Sequence, residues 1–368
     1  MNVPILELKP AYEELAPELD AAYHRVMASG HYLLGPELEA FEAEFAAATG
    51  TTQAVGVANG LEALQLVLMA RGIGPGDEVI VPSNGYIATW LAVTHAGAKP
   101  VPCEPDLATY NLDPARLGAL LTGRTKAILP IHLYGQAADL AGIRAVADPR
   151  GIFVLEDAAQ AHGARAHGRP VGALGQAAAF SFYPSKNLGA FADAGAVTTN
   201  DAGLAAQLRT LRNYGSRARY VNEVIGLNSR LDELQAAFLR VRLRHLAEWN
   251  ARRVRLAARY ADRLRGVVDL VLPAVPAWAE PVWHLYVVRS ARRDALRAHL
   301  TAHSIGTQIH YPTPPHLSGA YRSAGGKTGD FPLAERMAAE VLSLPIGPHV
   351  SADQVDAVAA AVRSFFGA

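Results

Sequence analysis

The stretch FSFYPSKNLG at residues 180–189 is the part of the chain from which its fold and chemistry are most readily argued. An apolar strand ends there at Pro184 and brings Lys186 into uncharged surroundings. A desolvated lysine loses part of its preference for the charged form, and the neutral amine is the nucleophile that condenses with an aldehyde. Lys186 is therefore a candidate anchor for a carbonyl compound. A solvated loop lysine is the alternative, and Lys186 alone does not exclude it.

Strand and helix patterns alternate on both sides of this stretch. Strands are predicted at residues 53–58, 78–81, near 101, at 126–131, 152–155 and 192–197. Helices are predicted at residues 37–48, 61–71, 113–121, 138–147 and 202–212, with a further helix that ends at 96. This alternation predicts an α/β fold with a mostly parallel sheet wrapped by helices. Ligands of such sheets bind beyond the carboxyl ends of the strands.

A long, arginine-rich helix at residues 232–264 is predicted to bridge two domains, and a composition break follows at 271–278. The remaining chain is expected to form a smaller α/β unit. Its predicted elements are a strand at residues 282–288 and helices at 292–303, 333–342 and 352–366. We therefore predict a large domain at residues 1–245 and a small C-terminal domain at 246–368.

Composition restricts the class of protein. The chain has 368 residues, of which 50% are hydrophobic, enough to bury a large core. Its 34 basic and 34 acidic residues balance, so no overall field draws it to nucleic acid or anionic lipid. The first residues lack a signal-peptide pattern, no apolar run is long enough to span a membrane, and Cys103 is the single cysteine. We expect a cytoplasmic protein that binds neither nucleic acid nor membrane.

The junction at Asn59-Gly60, where a strand turns into a helix, is a candidate anion site. A helix amino terminus presents unpaired N–H groups and a partial positive charge, which suit a phosphate. The alternative is that Asn59 is an N-cap, with Glu62 completing a capping box. The two interpretations are compatible.

Two other strand ends carry side chains suited to binding. Glu156 and Asp157 follow a hydrophobic strand, and burying one or both carboxylates is costly unless a cationic or protonated group meets them. A protonated pyridine nitrogen is such a group, whereas a solvated strand end with Asp157 as a cap is the alternative. Tyr86 follows another strand, where its ring either stacks on a flat ligand or packs in the core.

His310 and His316 invite a metal interpretation. Prolines between them exclude the helical histidine spacing of zinc hydrolases, and no cysteine or carboxylate cluster completes a site. The pattern therefore does not favour a metal centre.

Taken together, these segments resemble the DegT-type sugar aminotransferases, which are pyridoxal-phosphate enzymes of fold type I. The resemblance spans nearly the whole chain and rests on the order and spacing of short motifs. These are GPE at 35–37, NG at 59–60, EDAAQ at 156–160, SFYPSKNLG at 181–189, GLNSRLDE at 226–233, HYP at 310–312 and LPI at 344–346. The resemblance implies a fold-type I PLP-transferase with a smaller C-terminal α/β domain and pyridoxal 5'-phosphate as cofactor.

The resemblance also implies catalytic roles. Lys186 matches the Schiff-base lysine, and Asp157 matches the carboxylate that keeps the pyridine nitrogen of the cofactor protonated. Gln160 matches the residue beside the phenolic oxygen of the cofactor ring. Tyr86 matches the aromatic residue that stacks on the ring face.

For the cofactor phosphate, the resemblance implies the backbone of Gly60 and Leu61, the hydroxyl of Ser181, and Asn228 from a second subunit. Many family members have Ser-Gly-Thr at this helix start, so the present chain lacks the second hydroxyl and depends more on backbone N–H groups. Because Asn228 belongs to the partner's site in the family, a homodimer with shared active sites is implied.

The subgroup that the motifs resemble most aminates the 3-position of dTDP-linked 3-keto-6-deoxyhexoses, giving dTDP-3-amino-3,6-dideoxyhexoses, with L-glutamate as amino donor. Contacts to the hexose are then expected from Tyr183, His310 and Tyr311. A further group, with a solvated loop as the alternative, is expected to contact the diphosphate. It consists of Arg217, Arg219 and Tyr220.

Three alternatives remain at this point. The first is a 4-keto nucleotide-sugar aminotransferase of the same family. The second is a dehydratase in which histidine replaces the lysine, which Lys186 argues against. The third is a silent regulatory module that binds the cofactor without turnover, which the set of Lys186, Asp157 and Gln160 disfavours.

Overall fold

A seven-stranded sheet forms the centre of the large part of the chain. The computed structural model describes residues 2–368. The strands are β1 Gln53–Val57, β2 Glu78–Pro82, β3 Lys99–Cys103, β4 Thr125–Ile128, β5 Phe153–Asp157, β6 Ala177–Ser181 and β7 Gly195–Thr199. Their order across the sheet is β1-β7-β6-β5-β4-β2-β3. Only β7 runs against its neighbours, and the pairs from β6 to β3 are all parallel.

Helices cover both faces of this sheet. In the large part they are α1 Lys9–Ser29, α2 Pro36–Thr49, α3 Gly60–Ala70, α4 Ala88–His95, α5 Leu140–Ala147, α6 Ala202–Leu211 and α7 Glu233–Arg263. Side-chain caps fix several of their first turns: Asp139, Asp201 and Asp232 each accept a backbone N–H of the helix that follows. Apolar residues of the sheet and these helices form two buried clusters, one on each face.

A smaller unit follows along the chain. Its elements are β8 Tyr286–Arg289, α8 Arg293–Ala302, α9 Pro332–Glu340, β9 Val341–Leu344 and α10 Ala352–Phe366. The strands β8 and β9 pair antiparallel. The second half of α7, with Leu256 and Tyr260, joins the core of this unit, and so does Val3 from the amino terminus.

Short segments complete the structure. They are the strands Arg165–Ala166, Arg169–Pro170, Ser216–Ala218, Val221–Asn222 and Ala279–Glu280, and the 3-10 turns Pro114–Leu120, Leu133–Gly135, Asp148–Arg150, Pro315–Leu317 and Gly319–Ala324. Within residues 2–368, every helix is too short or too polar to cross a membrane.

The predicted fold class is confirmed, and the differences concern individual elements. Helix α1 was not predicted; it contains Pro17, and it packs Leu15 and Leu19 against the apolar side of α7. The segment predicted as a helix at 113–121 is a 3-10 turn that begins with Pro114. The segment at 333–342 divides into α9 and β9, because its last residues pair with β8.

The predicted boundary between residues 245 and 246 lies inside α7. This helix is continuous over 31 residues and contributes to the cores on both sides of that point. The division of the chain at this residue therefore stays a prediction.

Candidate active site

The carboxyl ends of β1, β5 and β6 lie at one edge of the sheet. Because β7 runs in the opposite direction, its first residue, Gly195, pairs with Val57 of β1 on one side and with Ser181 of β6 on the other. On the far side of β6, Asp157 pairs with Ala179. The segments that contain the candidate residues thus meet within the width of three or four strands.

Asp157 is the buried acid of this edge. Its residue is 6% exposed, the hydroxyl of Thr89 donates to its Oδ2 at 2.7 Å, and the backbone N–H of Ala159 approaches its Oδ1 at 3.2 Å. Burial raises the pKa of Asp157, while the bond from Thr89 and the nearby charge of Lys186 act in the opposite direction. A cation at this carboxylate would compensate for its burial.

Lys186 stands on a turn just after β6, where its backbone N–H donates to the carbonyl of Tyr183 at 2.8 Å. The residue is partly accessible, yet burial lowers the pKa of its amine to about 8, and the negative charge of Asp157 opposes this shift. About a tenth of Lys186 is therefore neutral at pH 7, far more than for a lysine with the ordinary pKa of 10.5. This burial favours a desolvated amine over a solvated loop lysine, and the role of Lys186 stays a prediction.

The two acids at the end of β5 have different functions. Glu156 is fully buried and bonds to the ring of His132 at 2.9 Å. It also accepts the backbone N–H groups of Gly172, Leu174 and Gly175. Because its oxygens are occupied by these donors, Glu156 holds the chain after β5 in place, and Asp157 is the carboxylate left for a ligand.

Gln160 is fixed between two partners. Its Oε1 accepts the backbone N–H of Tyr134 at 2.6 Å, and its Nε2 donates to the hydroxyl of Tyr311 at 2.9 Å. The ring of Tyr311 lies 5.4 Å from that of Tyr86, centroid to centroid, and Tyr86 is 57% exposed. These contacts place Tyr86, Gln160 and Tyr311 in one group.

The start of α3 forms the anion-binding part of the edge. Asn59 caps the helix by accepting the N–H of Glu62 at 2.8 Å, so the cap interpretation is confirmed. The predicted capping box is not formed: among the described residues the Glu62 carboxylate accepts no hydrogen bond from the backbone N–H of Asn59, and its Oε2 is buried without a partner. The N–H groups of Gly60 and Leu61 find no backbone acceptor in residues 2–368, as expected for a first helical turn.

Two glycines allow α3 to approach the ends of β6 and β7. A Cβ atom on Gly60 would stand 2.7 Å from the Cβ of Ser181, and one on Gly195 would stand 2.5 Å from the carbonyl carbon of Asn59. A side chain at either position would push the helix away from the sheet. Glycine at both positions thus keeps the free N–H groups of α3 beside the Ser181 hydroxyl.

The arrangement fits a phosphorylated pyridine aldehyde. The start of α3 and Ser181 offer donors to a phosphate, Asp157 offers a buried carboxylate to a protonated ring nitrogen, and Lys186 offers an amine with a lowered pKa to an aldehyde. The donor set is therefore suited to each end of such a molecule.

The predicted hexose contacts lie at the margin of this group. His310 bonds through Nδ1 to the hydroxyl of Ser343 at 2.7 Å, and its carbonyl accepts the hydroxyl of Tyr134. Burial, with a contribution from the charge of Lys186, lowers the pKa of His310 to about 4, so its ring is neutral. Tyr183 is 54% exposed.

The two histidines considered as metal ligands have separate partners. His310 bonds to Ser343, whereas His316 bonds to Glu335 at 3.1 Å. Among residues 2–368, no group of three or more His, Cys, Asp or Glu side chains is arranged to hold a metal ion.

The arginine segment is separate from the group around Lys186. Arg217 contacts Thr210 and Glu223, and the guanidinium of Arg219 lies over the ring of Tyr220, 4.9 Å from its centroid. Arg217, Arg219 and Tyr220 are on the exposed ribbon formed by Ser216–Ala218, Val221–Asn222 and the turn between them. Within one protomer, the structure does not bring this ribbon to the lysine.

Asn228 is also exposed, and its neighbour Ser229 accepts the backbone N–H of Ala58 at 3.2 Å. The loop that carries Asn228 therefore runs past the end of β1. Its predicted role in a partner's site stays a prediction.

Three residues of this region were not predicted from the sequence. Thr89 bonds to Asp157, and Tyr134 positions Gln160 through its backbone. His162 is 1% exposed, packs beside the rings of Phe180 and Phe182, and has two ring nitrogens without a partner among the described side chains. The usable signal for Thr89 was its place in the first turn of α4, just beyond the carboxyl end of β2, where ligands of such sheets bind.

Comparison with known proteins identifies close relatives of the chain. The dTDP-3-amino-3,4,6-trideoxy-alpha-D-glucose transaminase of Streptomyces venezuelae is 57% identical over 364 residues, covering 99% of this chain and 96% of that protein. The erythromycin biosynthesis sensory transduction protein EryC1 of Saccharopolyspora erythraea is 56% identical over 364 residues, covering 99% of this chain and all of that protein. The chain is thus similar to both along nearly its full length.

The fold is similar to that of solved structures over the same extent. The crystal structure of S. venezuelae DesV in complex with a ketimine intermediate superposes with a TM-score of 0.98 and 56% identity, covering 100% of this chain and 99% of that one. This similarity confirms the predicted PLP-transferase fold.

One family profile spans residues 13–363, that of the DegT/DnrJ/EryC1/StrS aminotransferase family. The resemblance seen in the motifs is thereby confirmed, and with it the predicted cofactor, because this family depends on pyridoxal phosphate. The chain belongs to the DegT/DnrJ/EryC1/StrS aminotransferase family.

Proposed function

We propose that the protein transfers the amino group of L-glutamate to the 3-position of a dTDP-linked 3-keto-6-deoxyhexose. The proposal of transamination rests on one observation. The amine of Lys186, with its pKa lowered to about 8, lies near the buried carboxylate of Asp157. The choice of sugar is supported by the 57% identity with a transaminase of a dTDP-3-amino sugar.

The chain supplies binding and proton transfer in this reaction. Pyridoxal phosphate, when bound, supplies the electron sink that stabilises a carbanion at the substrate carbon. Asp157 would hold the ring nitrogen protonated, and Thr89 would keep that carboxylate oriented. The free amine of Lys186 would take the proton from the donor carbon and return it on the other side of the transfer. Gln160 would contact the phenolic oxygen.

The remaining assignments concern binding. Gly60, Leu61 and Ser181 would hold the phosphate, and Tyr86 would lie over the ring. The hexose would lie against side chains near the lysine that are exposed or neutral. These are Tyr183, His310 and Tyr311.

We also propose a cytoplasmic homodimer with shared sites. The ribbon and the loop after it expose large apolar side chains, with Tyr220 85% and Ile225 91% accessible, and solvated monomers rarely leave such residues together in water. A second copy covering this surface would bring Asn228, and with it Arg217 and Arg219, to the neighbouring site.

The test separates the two half-reactions. Holoenzyme is mixed with glutamate, and the visible absorbance of the cofactor is followed; it should bleach, and the dTDP-3-keto-6-deoxyhexose generated in place should restore it. The same experiment with a dTDP-4-keto sugar tests the nearest alternative, a 4-keto aminotransferase. Recovery with the 4-keto sugar alone would refute the 3-position.

A second candidate function is regulatory binding of the cofactor without turnover. It is favoured by the description of the EryC1 relative as a sensory transduction protein. Glutamate that leaves the cofactor spectrum unchanged would support this candidate, whereas bleaching by glutamate would count against it.

A further inference from the structure

A cavity of about 80 Å³ lies between the turn that carries Lys186 and the smaller unit. The volume is room for roughly two or three water molecules, or for one carboxylate group. The polar side chains that line it are Ser185, Arg253, His284, Gln308 and His310. The other lining residues are apolar, and no lining residue is acidic.

Arg253 is the charged residue of the cavity, and it is only 4% exposed. Its Nη1 donates to the carbonyls of Trp283, His284 and Ile346 at 3.2, 3.4 and 3.4 Å. Among the described residues no carboxylate forms an ion pair with it, and no hydrogen bond is made by its Nε or Nη2. Burial without an acid partner lowers the pKa of Arg253 to about 10.

Two arginines of comparable burial have acid partners, and a third, Arg242, has none among the described residues but lies against the rings of Phe191 and Trp249 and does not line this cavity. Arg212 pairs with Glu42 at 2.5 Å, and Arg289 pairs with Glu340 at 2.8 Å. A buried guanidinium that lacks such a partner has lost its hydration without compensation, which is costly. Arg253 is therefore a site where an anion from outside the chain would be stabilised.

The neighbouring histidines carry no charge that would add to or offset the positive charge of Arg253. His284 contacts the amide oxygen of Asn187 through Nδ1 at 3.2 Å, and His310 bonds to Ser343. Burial lowers the pKa of both rings, that of His310 to about 4, so both are neutral at physiological pH. The cavity consequently has one positive charge and several neutral polar groups.

We infer that Arg253 and this cavity bind the side-chain carboxylate of the amino donor, L-glutamate, an inference that rests on the proposed function. Ser185 and His310 line the cavity but Lys186 does not, so the cavity is offset from the reacting nitrogen. The side-chain carboxylate of glutamate is likewise offset, three carbon–carbon bonds beyond the carbon that loses the amino group. The planar guanidinium matches a carboxylate in geometry and charge.

The test compares two amino donors in the first half-reaction of the holoenzyme. L-Glutamate carries the side-chain carboxylate and L-2-aminobutyrate lacks it. Wild type is expected to bleach the cofactor absorbance faster with glutamate. In Arg253→Met, glutamate should lose about 100-fold in kcat/KM, whereas 2-aminobutyrate should be unchanged, because only the charged hydrogen bonds are removed.

Arg242→Met is the matched control. Arg242 lies on the same helix, is 5% exposed and donates to the carbonyl of Gly189, but it does not line the cavity. This variant should keep the donor preference of wild type even if its thermal stability falls. The second half-reaction with the keto sugar should be unaffected in Arg253→Met, since the sugar has no carboxylate.

Equal loss with both donors, or an unchanged preference for glutamate, would overturn the assignment. If Arg253→Met does not fold, Arg253→Gln keeps an N–H₂ group for the three carbonyls, and the same loss of preference is expected of it. Failure of wild type to react with any amino donor would instead refute the proposed function. A normal wild type with an unchanged variant would refute only the role of Arg253.

Discussion

The surroundings of Asp157 and the segment at residues 214–228 differ in how far one chain completes them. Asp157 is 6% exposed and has its hydrogen-bond partners within the protomer. In the other region Tyr220 and Ile225 are 85% and 91% exposed; Arg217 contacts Thr210 and Glu223, and Arg219 lies over the ring of Tyr220. The inner region, around Asp157 and Lys186, is thus built by the single chain, whereas the segment at residues 214–228 would form the outer wall of a site only in the proposed dimer. The effects of substitutions on activity should therefore differ between the two regions, both in magnitude and in the step that they impair.

The largest effect is expected from Lys186→Ala. Removing the amine eliminates both the attachment of the aldehyde and the proton transfer, so turnover should fall by at least about 10⁴-fold. Stopped-flow absorbance with glutamate measures this loss, and Lys126→Ala, at an exposed position, is the control. Activity within tenfold of wild type would mean that the residues around Lys186 and Asp157 do not carry out the reaction.

Asp157→Asn should cause the second-largest loss of activity. Asparagine keeps the shape and the bond from Thr89 but cannot hold a proton on a pyridine nitrogen, so we expect a loss of about 10³-fold in kcat with cofactor still bound. Dialysis followed by absorbance measures the retained cofactor. If the variant loses its cofactor on dialysis but keeps the wild-type kcat when cofactor is supplied, Asp157 contributes only to cofactor binding.

The pH dependence of cofactor attachment tests the burial of Lys186 directly. Its pKa is lowered from the ordinary 10.5 to about 8, so the neutral amine becomes abundant above pH 8. Mixing apoenzyme with pyridoxal phosphate should give a rate that rises about 50-fold between pH 6 and pH 8 and then levels off. A rate that continues to rise toward pH 10 would indicate a solvated lysine. The surroundings of Lys186 would then be no more desolvated than the segment at residues 214–228.

Thr89→Val tests how the carboxylate of Asp157 is held in its ionised form. Losing the hydroxyl removes a bond that favours the ionised carboxylate, so the pKa of Asp157 should rise and the acid limb of the pH–rate profile should move to higher pH. We expect about a tenfold loss in kcat. Thr94→Val, on the same helix but bonded to Trp90 and Tyr321, should leave the profile unchanged.

Arg219→Ala should have the smallest effect. Because this side chain is exposed and its charge is screened, we expect an increase of about threefold in the KM for the nucleotide sugar and no change in the glutamate half-reaction. Arg165→Ala, exposed in another part of the surface, is the control. An effect as large as that of Asp157→Asn would show that the outer wall takes part in the chemistry.

Local patterns predicted the positions of the main strands and helices because hydrophobic periodicity reports directly on burial. The junction at Asn59 and the turn at Pro184 were visible for the same reason, since cap and turn residues act on their own neighbours. Helix α1 was missed because Pro17 argues locally against a helix, whereas contact with α7 stabilises it. Local rules do not include that contact.

The candidate site, like the fold, could be predicted only in part from local sequence. Alternation along β5 implies that Glu156 and Asp157 point to opposite faces, but not which face carries the ligand. The answer depends on His132 and on the loop at 172–175, which occupy Glu156. The isolation of Arg253 was likewise invisible, because α7 contains many arginines and only the packed structure reveals which of them lack an acid.

Helix α7 has a mechanical consequence. It is a single rod of 31 residues, about 46 Å long at the usual rise per residue, and its two halves are embedded in different cores. Neither half can unfold or shift far without pulling on the other, so the two parts of the chain form one cooperative unit. Strain introduced near Tyr260 in the smaller core would therefore be transmitted along the rod to the residues that surround the lysine.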